Sequence, residues 1–134
     1  MARRYSIRVV PTINAPGHVS AWLLSPELRY LFEDEFPSNP GEFSSLQCFF
    51  GELNVFIPET YSLLRSIYQD LALMFPDLSF HLEGNDIQTQ CYEKNMKKNE
   101  KSQSFDSQIS YFFQQSLLEL IFWEKKQVIM TRCF

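Results

Sequence analysis

The period of apolar and polar positions changes along the chain, and each change marks an element. Tyr5, Ile7 and Val9 alternate with Ser6 and Arg8, the period of a half-buried strand. Val19, Ala21 and Leu23 repeat the alternation around Ser20. The two runs predict a hairpin, joined by the loop Pro11 to Gly17 with its two prolines, Asn14 and Gly17. Ser25-Pro26-Glu27 carries a helix start: a capping hydroxyl, a proline fit for the first turn, and an acid at the positive dipole end. Leu28, Leu31, Phe32 and Phe36 continue it at helical spacing until Pro37, Pro40 and Gly41 turn the chain.

Two apolar runs, Leu46 to Phe50 and Val55 to Ile57, flank Gly51-Glu52-Leu53-Asn54 and predict a second hairpin centred on Gly51. Residues 58–75 give the strongest periodicity. Tyr61, Leu64, Ile67, Tyr68, Leu71 and Phe75 share one helical face, and Ser62, Arg65, Ser66, Gln69 and Asp70 the other. Pro58 opens this helix and Pro76 closes it. Leu78, Phe80 and Leu82 alternate with Ser79 and His81, a strand for which Ile87 to Tyr92 is the expected hairpin partner. Residues 93–104 hold four Lys and one apolar residue, the composition of a mobile, solvated loop. From Ser104 to Lys126 a helix is expected, followed by a short terminal strand. The competing pattern is a hairpin of Leu118 to Trp123 with Val128 to Cys133.

These elements describe one α+β domain over residues 1–134, with an antiparallel sheet of hairpins packed against two or three helices. A 45% apolar and 16% aromatic content excludes disorder. No stretch reaches the ~18 apolar residues of a membrane helix, so no membrane partner is expected. Arg8 and Pro11 interrupt any apolar signal stretch near the start. Cys48, Cys91 and Cys133 are an odd number without framework spacing and read as reduced thiols of a cytoplasmic protein. The net charge of −4 is uneven: residues 27–86 carry eleven acids against Arg29 and Arg65. That acidic middle excludes nucleic acid as the main partner and favours a basic protein.

Candidate chemistry is sparse. His18, His81 and the cysteines lack the paired spacing of a metal site, and no Gly-rich phosphate cradle or hydrolase signature is present. No metal or cofactor is therefore expected. Cys91 with His81 is the one nucleophile–base pairing that a hairpin could join. Glu33, Asp34 and Glu35 are consecutive, so on a helix they diverge and serve better as an acidic surface than as a dyad. Tyr111, Leu118 and Phe122 form a second apolar seam opposite the main stripe of the last helix. Such a seam is either buried centrally or covered by a partner. The reading that follows is a non-catalytic protein-binding module of inhibitor, immunity-protein or chaperone/adaptor type. It would act through Glu33, Asp34 and Glu35 and through the seam Tyr111, Leu118 and Phe122. The alternatives are a small cysteine- or carboxylate-dependent enzyme and a structural homo-oligomer, a homodimer through that seam.

Overall fold

The computed structural model describes residues 2–32, 51–75, 77–84, 86–98, 104–122 and 127–132. Three strands, β1 (Thr12–Asn14), β2 (Ser79–Gly84) and β3 (Gln127–Arg132), form one sheet in the order β1-β2-β3. Both pairings are parallel, with Thr12 opposite His81 and His81 opposite Ile129. Parallel neighbours need a long crossover. Helix α1 (Pro58–Met74) lies between β1 and β2, and α2 (Thr89–Lys98) and α3 (Phe105–Phe122) lie between β2 and β3. The antiparallel hairpin sheet expected from the sequence is thus corrected to a parallel α/β arrangement.

The helices cover one face of the sheet. Phe80 and Leu82 of β2 are buried there, and the Phe80 ring meets Tyr68 of α1 edge-on at 5.5 Å. Gly84, next on the same face, is where Phe113 of α3 comes closest, since an added methyl would overlap its ring. Helix α1 starts at Pro58 as expected, and Leu64 and Tyr68 anchor it in the core. The pair Arg65–Glu119, with Nε to Oε2 at 2.9 Å, ties it to α3. Burial pushes the Tyr68 hydroxyl up to about 12, as expected when the charged form would be desolvated. On the opposite face β1 and β2 carry polar side chains: Thr12 Oγ1 lies 3.0 Å from His81 Nδ1 and 3.4 Å from Glu83 Oε2.

Several local expectations change. The first proposed strand does not form: Ala2–Tyr5 is a 3-10 turn, Tyr5, Ile7 and Val9 are open to solvent, and Arg8 reaches Asp77 and Ser79 at the start of β2. The second is a 3-10 turn, Ser20–Leu24, and the sheet instead takes Thr12–Asn14 from the expected loop. The helix expected after Ser25 is a short 3-10 segment, Pro26–Leu31, in which Ser25 Oγ donates to Glu27 Oε2 instead of capping an amide. Its continuation to Phe36, and the residues before Gly51 in the second hairpin, lie outside the described residues. Residues 51–53 do not fold back on themselves. They run beside the loop after β1, with Val19 N donating to Gly51 O at 3.1 Å and Leu53 N to Pro16 O at 2.8 Å. The segment expected as a hairpin partner of β2 starts α2, which carries on to Lys98 into the stretch expected as a mobile loop. The terminal helix and strand form as the pattern predicts.

Candidate active site at the carboxyl ends of the strands

In a parallel α/β sheet, ligands bind in the loops that follow the strands. Here β1 runs into Ala15-Pro16-Gly17-His18 and β2 into Asp86-Ile87-Gln88. His18 Nδ1 stands 3.3 Å from Asp86 Oδ2, and the two side chains keep 45% and 64% of their surface open, so a ligand can reach both. With Ile87 and Gln88 they line a cleft of about 290 Å³, near the lower end of ordinary ligand pockets at roughly 300 Å³. Both residues have φ of 59°, the left-handed region that costs a non-glycine residue about 1–2 kcal/mol. Strain of this kind, held in place by its surroundings, concentrates at functional sites.

Gly17 permits the close approach of the two loops. A side chain there would stand 2.5 Å from Glu52 Oε2, 3.0 Å from the Asp86 carbonyl and 3.2 Å from Ile87 Cα. Glu52 is 1% exposed, and its Oε1 accepts the Gln88 N–H at 3.3 Å. On the polar face of the sheet, Asn14 pairs in register with Glu83, one strand residue short of the cleft. A histidine and a carboxylate held in the loops just past two strands, beside an open cleft, are the makings of proton-transfer chemistry on a bound polar ligand.

A family model described as glycosyl hydrolase family 20, catalytic domain, matches residues 1–131. The chain belongs to this family. The β subunit of cat (Felis catus) β-hexosaminidase is 28% identical over 96% of this chain. The human β-hexosaminidase β subunit is 31% identical over 72% of it, and the Emericella nidulans β-hexosaminidase 32% over 68%. The chain spans 24% of the cat protein and 16% of the human one. In structure it is similar to a β-N-acetylhexosaminidase, with a TM-score of 0.71 and 20% identity over 93% of this chain and 27% of that one. It is also similar to a Vibrio harveyi exo-β-N-acetylglucosaminidase solved with N-acetylglucosamine, with a TM-score of 0.67 and 18% identity over 96% of this chain and 20% of that one. These neighbours are barrel-type enzymes, and the three parallel strands with helices on one face correspond to a segment of such a barrel.

Family 20 membership overturns the expectation of a non-catalytic inhibitor, immunity protein or chaperone-like module. The physical reason is the parallel sheet itself, which gathers polar side chains at one end where hairpins would scatter them. Cys91 is disulfide-bonded, to a partner outside the described residues, so the expected reduced thiol, and with it the Cys91–His81 nucleophile, is corrected. Cys91 lies on α2 and His81 faces Thr12 across the sheet, and no hairpin joins them. Glu33, Asp34 and Glu35 lie outside the described residues. Tyr111, Leu118 and Phe122 sit on α3 with half or more of their surface open, and Tyr111 meets Tyr61 edge-on at 5.9 Å. They lie on the helix layer, apart from the cleft. Among the described residues no cluster of three metal-ligating side chains forms.

Asp86, Glu52 and Glu83 were passed over in the sequence, and His18 was weighed only as a metal ligand. The signal available was local. It consists of a Pro-Gly-His turn, and of an acid two residues beyond the glycine that ends the Leu78–Leu82 alternation.

Proposed function

We propose that the chain is the part of a family 20 hexosaminidase that binds and cleaves a terminal N-acetylhexosamine, with Asp86 as the proton donor. The observation that carries this reading is the His18–Asp86 pair at the open cleft beyond β1 and β2. Glycosidic bond cleavage needs a carboxylic acid to protonate the departing oxygen. In this family the acetamido group of the sugar takes the place of the second carboxylate, so one acid in the cleft meets the requirement. His18 orients the Asp86 carboxyl by hydrogen bond. Asn14 and Glu83, neighbours on the polar face, offer an amide and a carboxylate to sugar hydroxyls. The Cys91 disulfide fits a protein that matures where thiols oxidise.

The test is release of N-acetylglucosamine from its β-linked disaccharide, whose sugar-alcohol leaving group, unlike a nitrophenol, departs only when protonated. Asp86→Asn should lower kcat by about 10²–10⁴-fold, the usual contribution of a positioned acid, with little change in KM. Equal rates for the two proteins would remove Asp86 from the role. No turnover and no N-acetylglucosamine-dependent NMR shifts in the unmodified protein would remove the reading.

A further inference from the structure

Glu52 sits where three segments meet. Its own backbone neighbours are stitched to the loop after β1, through Val19 N to Gly51 O at 3.1 Å and Leu53 N to Pro16 O at 2.8 Å. Its side chain reaches the other way. Oε1 accepts the N–H of Gln88, two residues past Asp86, and Oε2 lies over Gly17, one residue before His18. The carboxylate is 1% exposed. Glutamate is almost never so fully buried unless paired, and an apolar residue of similar volume would be the cheaper filler. A polar side chain kept at such a junction indicates a task tied to its position.

We propose that Glu52 is a positioning residue whose buried carboxylate locks the loops after β1 and β2 together at the separation that brings His18 to Asp86. The proposal rests on the cleft being the working site, and its geometry stands apart from the identity of the substrate. Gly17 is the counterpart of Glu52. Its bare Cα lets the carboxylate lie within 2.5 Å of where a methyl would be, while the Asp86 carbonyl closes from the other side at 3.0 Å. The left-handed conformations of His18 and Asp86 flank this junction.

The chain has two histidines, so His18 can be followed by NMR of histidine-labelled protein, with Asp86→Asn marking the signature of a broken pair. Glu52→Gln keeps an oxygen for the Gln88 N–H and should retain the His18 signals and most of the activity. Glu52→Leu keeps the volume and removes the acceptor. It should move the His18 signals toward those of Asp86→Asn and lower kcat by about 10–100-fold, as a misplacement near 1 Å does, while KM stays nearly constant. Unmoved His18 signals in folded Glu52→Leu would overturn the proposal. Should that variant fail to fold, Gly17→Ala presses a methyl on the same carboxylate, and unmoved His18 signals there would overturn it equally. The NMR readout needs no turnover. Inactivity of every variant, the unmodified protein included, would therefore refute the glycosidase reading alone, and the His18 signals would still decide the role of Glu52.

Discussion

Gly84 ends β2 beneath α3, and replacing it with alanine tests how closely sheet and helix layer are fitted. The added methyl would overlap Phe113 Cζ and stand 3.0 and 3.2 Å from Cε2 and Cε1, against a comfortable carbon–carbon separation of about 3.5–4.0 Å. The ring would have to withdraw by more than ~1 Å to restore that separation. It has little room, because Phe113 is 9% exposed and packs edge-on against Phe112 at 5.6 Å, itself 1% exposed. Overpacking of a filled core costs about 1–3 kcal/mol, and the crowding places Gly84→Ala in the upper half of that range. The lost freedom of the unfolded chain returns about 0.5 kcal/mol. The net cost is therefore about 1.5–2.5 kcal/mol, or roughly 5–12 °C in Tm for a chain of this size. Urea titration would read it as a lower midpoint at unchanged slope. Phe113→Leu in the same background should recover at least about 1 kcal/mol, measured by a double-mutant cycle. A Gly84→Ala midpoint equal to the parent, or simple additivity with Phe113→Leu, would refute the close fit.

Two further predictions concern stability. Asp77 accepts two hydrogen bonds from Arg8 and one from Ser79 N, each at 2.8 Å, and the guanidinium holds its carboxyl well below the usual carboxylate range. A carboxyl depressed in the folded state stabilises above its unfolded value, near 4, and that contribution fades as pH falls further. The urea midpoint should thus drop on acidification below about pH 4, and Asp77→Asn should be less stable at pH 7 with a flatter acid limb; parallel pH curves would refute this. Reducing the Cys91 disulfide should cost roughly 2–4 kcal/mol, visible as a lower Tm in dithiothreitol, and an unchanged Tm would deny the bond a stabilising part.

What the sequence disclosed depended on how far each element's partners lay. Helix α1 was legible because Tyr61, Leu64, Tyr68 and Leu71 repeat at helical spacing behind Pro58, and α3 with its following strand was legible for similar local reasons. Strand β2 was found but paired wrongly. Its alternation of Phe80 and Leu82 with His81 and Glu83 resembles an antiparallel strand with one wet face, whereas parallel strands usually read as continuous apolar runs. The polar positions lie on the sheet face opposite the helices, so a wet face hid the topology. Strand β1 is three residues long between Pro11 and Pro16, too short to show a period. The candidate site was illegible because His18, Glu52 and Asp86 are far apart in sequence and meet only through the parallel register. The disulfide at Cys91 left no trace in an odd cysteine count.

The ends of β2 serve different masters. At its start Arg8 clasps Asp77 and Ser79; past its end Asp86 faces His18 over the cleft. Six strand residues at about 3.3 Å each separate the two by some 20 Å. Over that span substitutions act independently. A lineage carrying this segment can therefore reshape the cleft at one end while inheriting an intact anchor at the other.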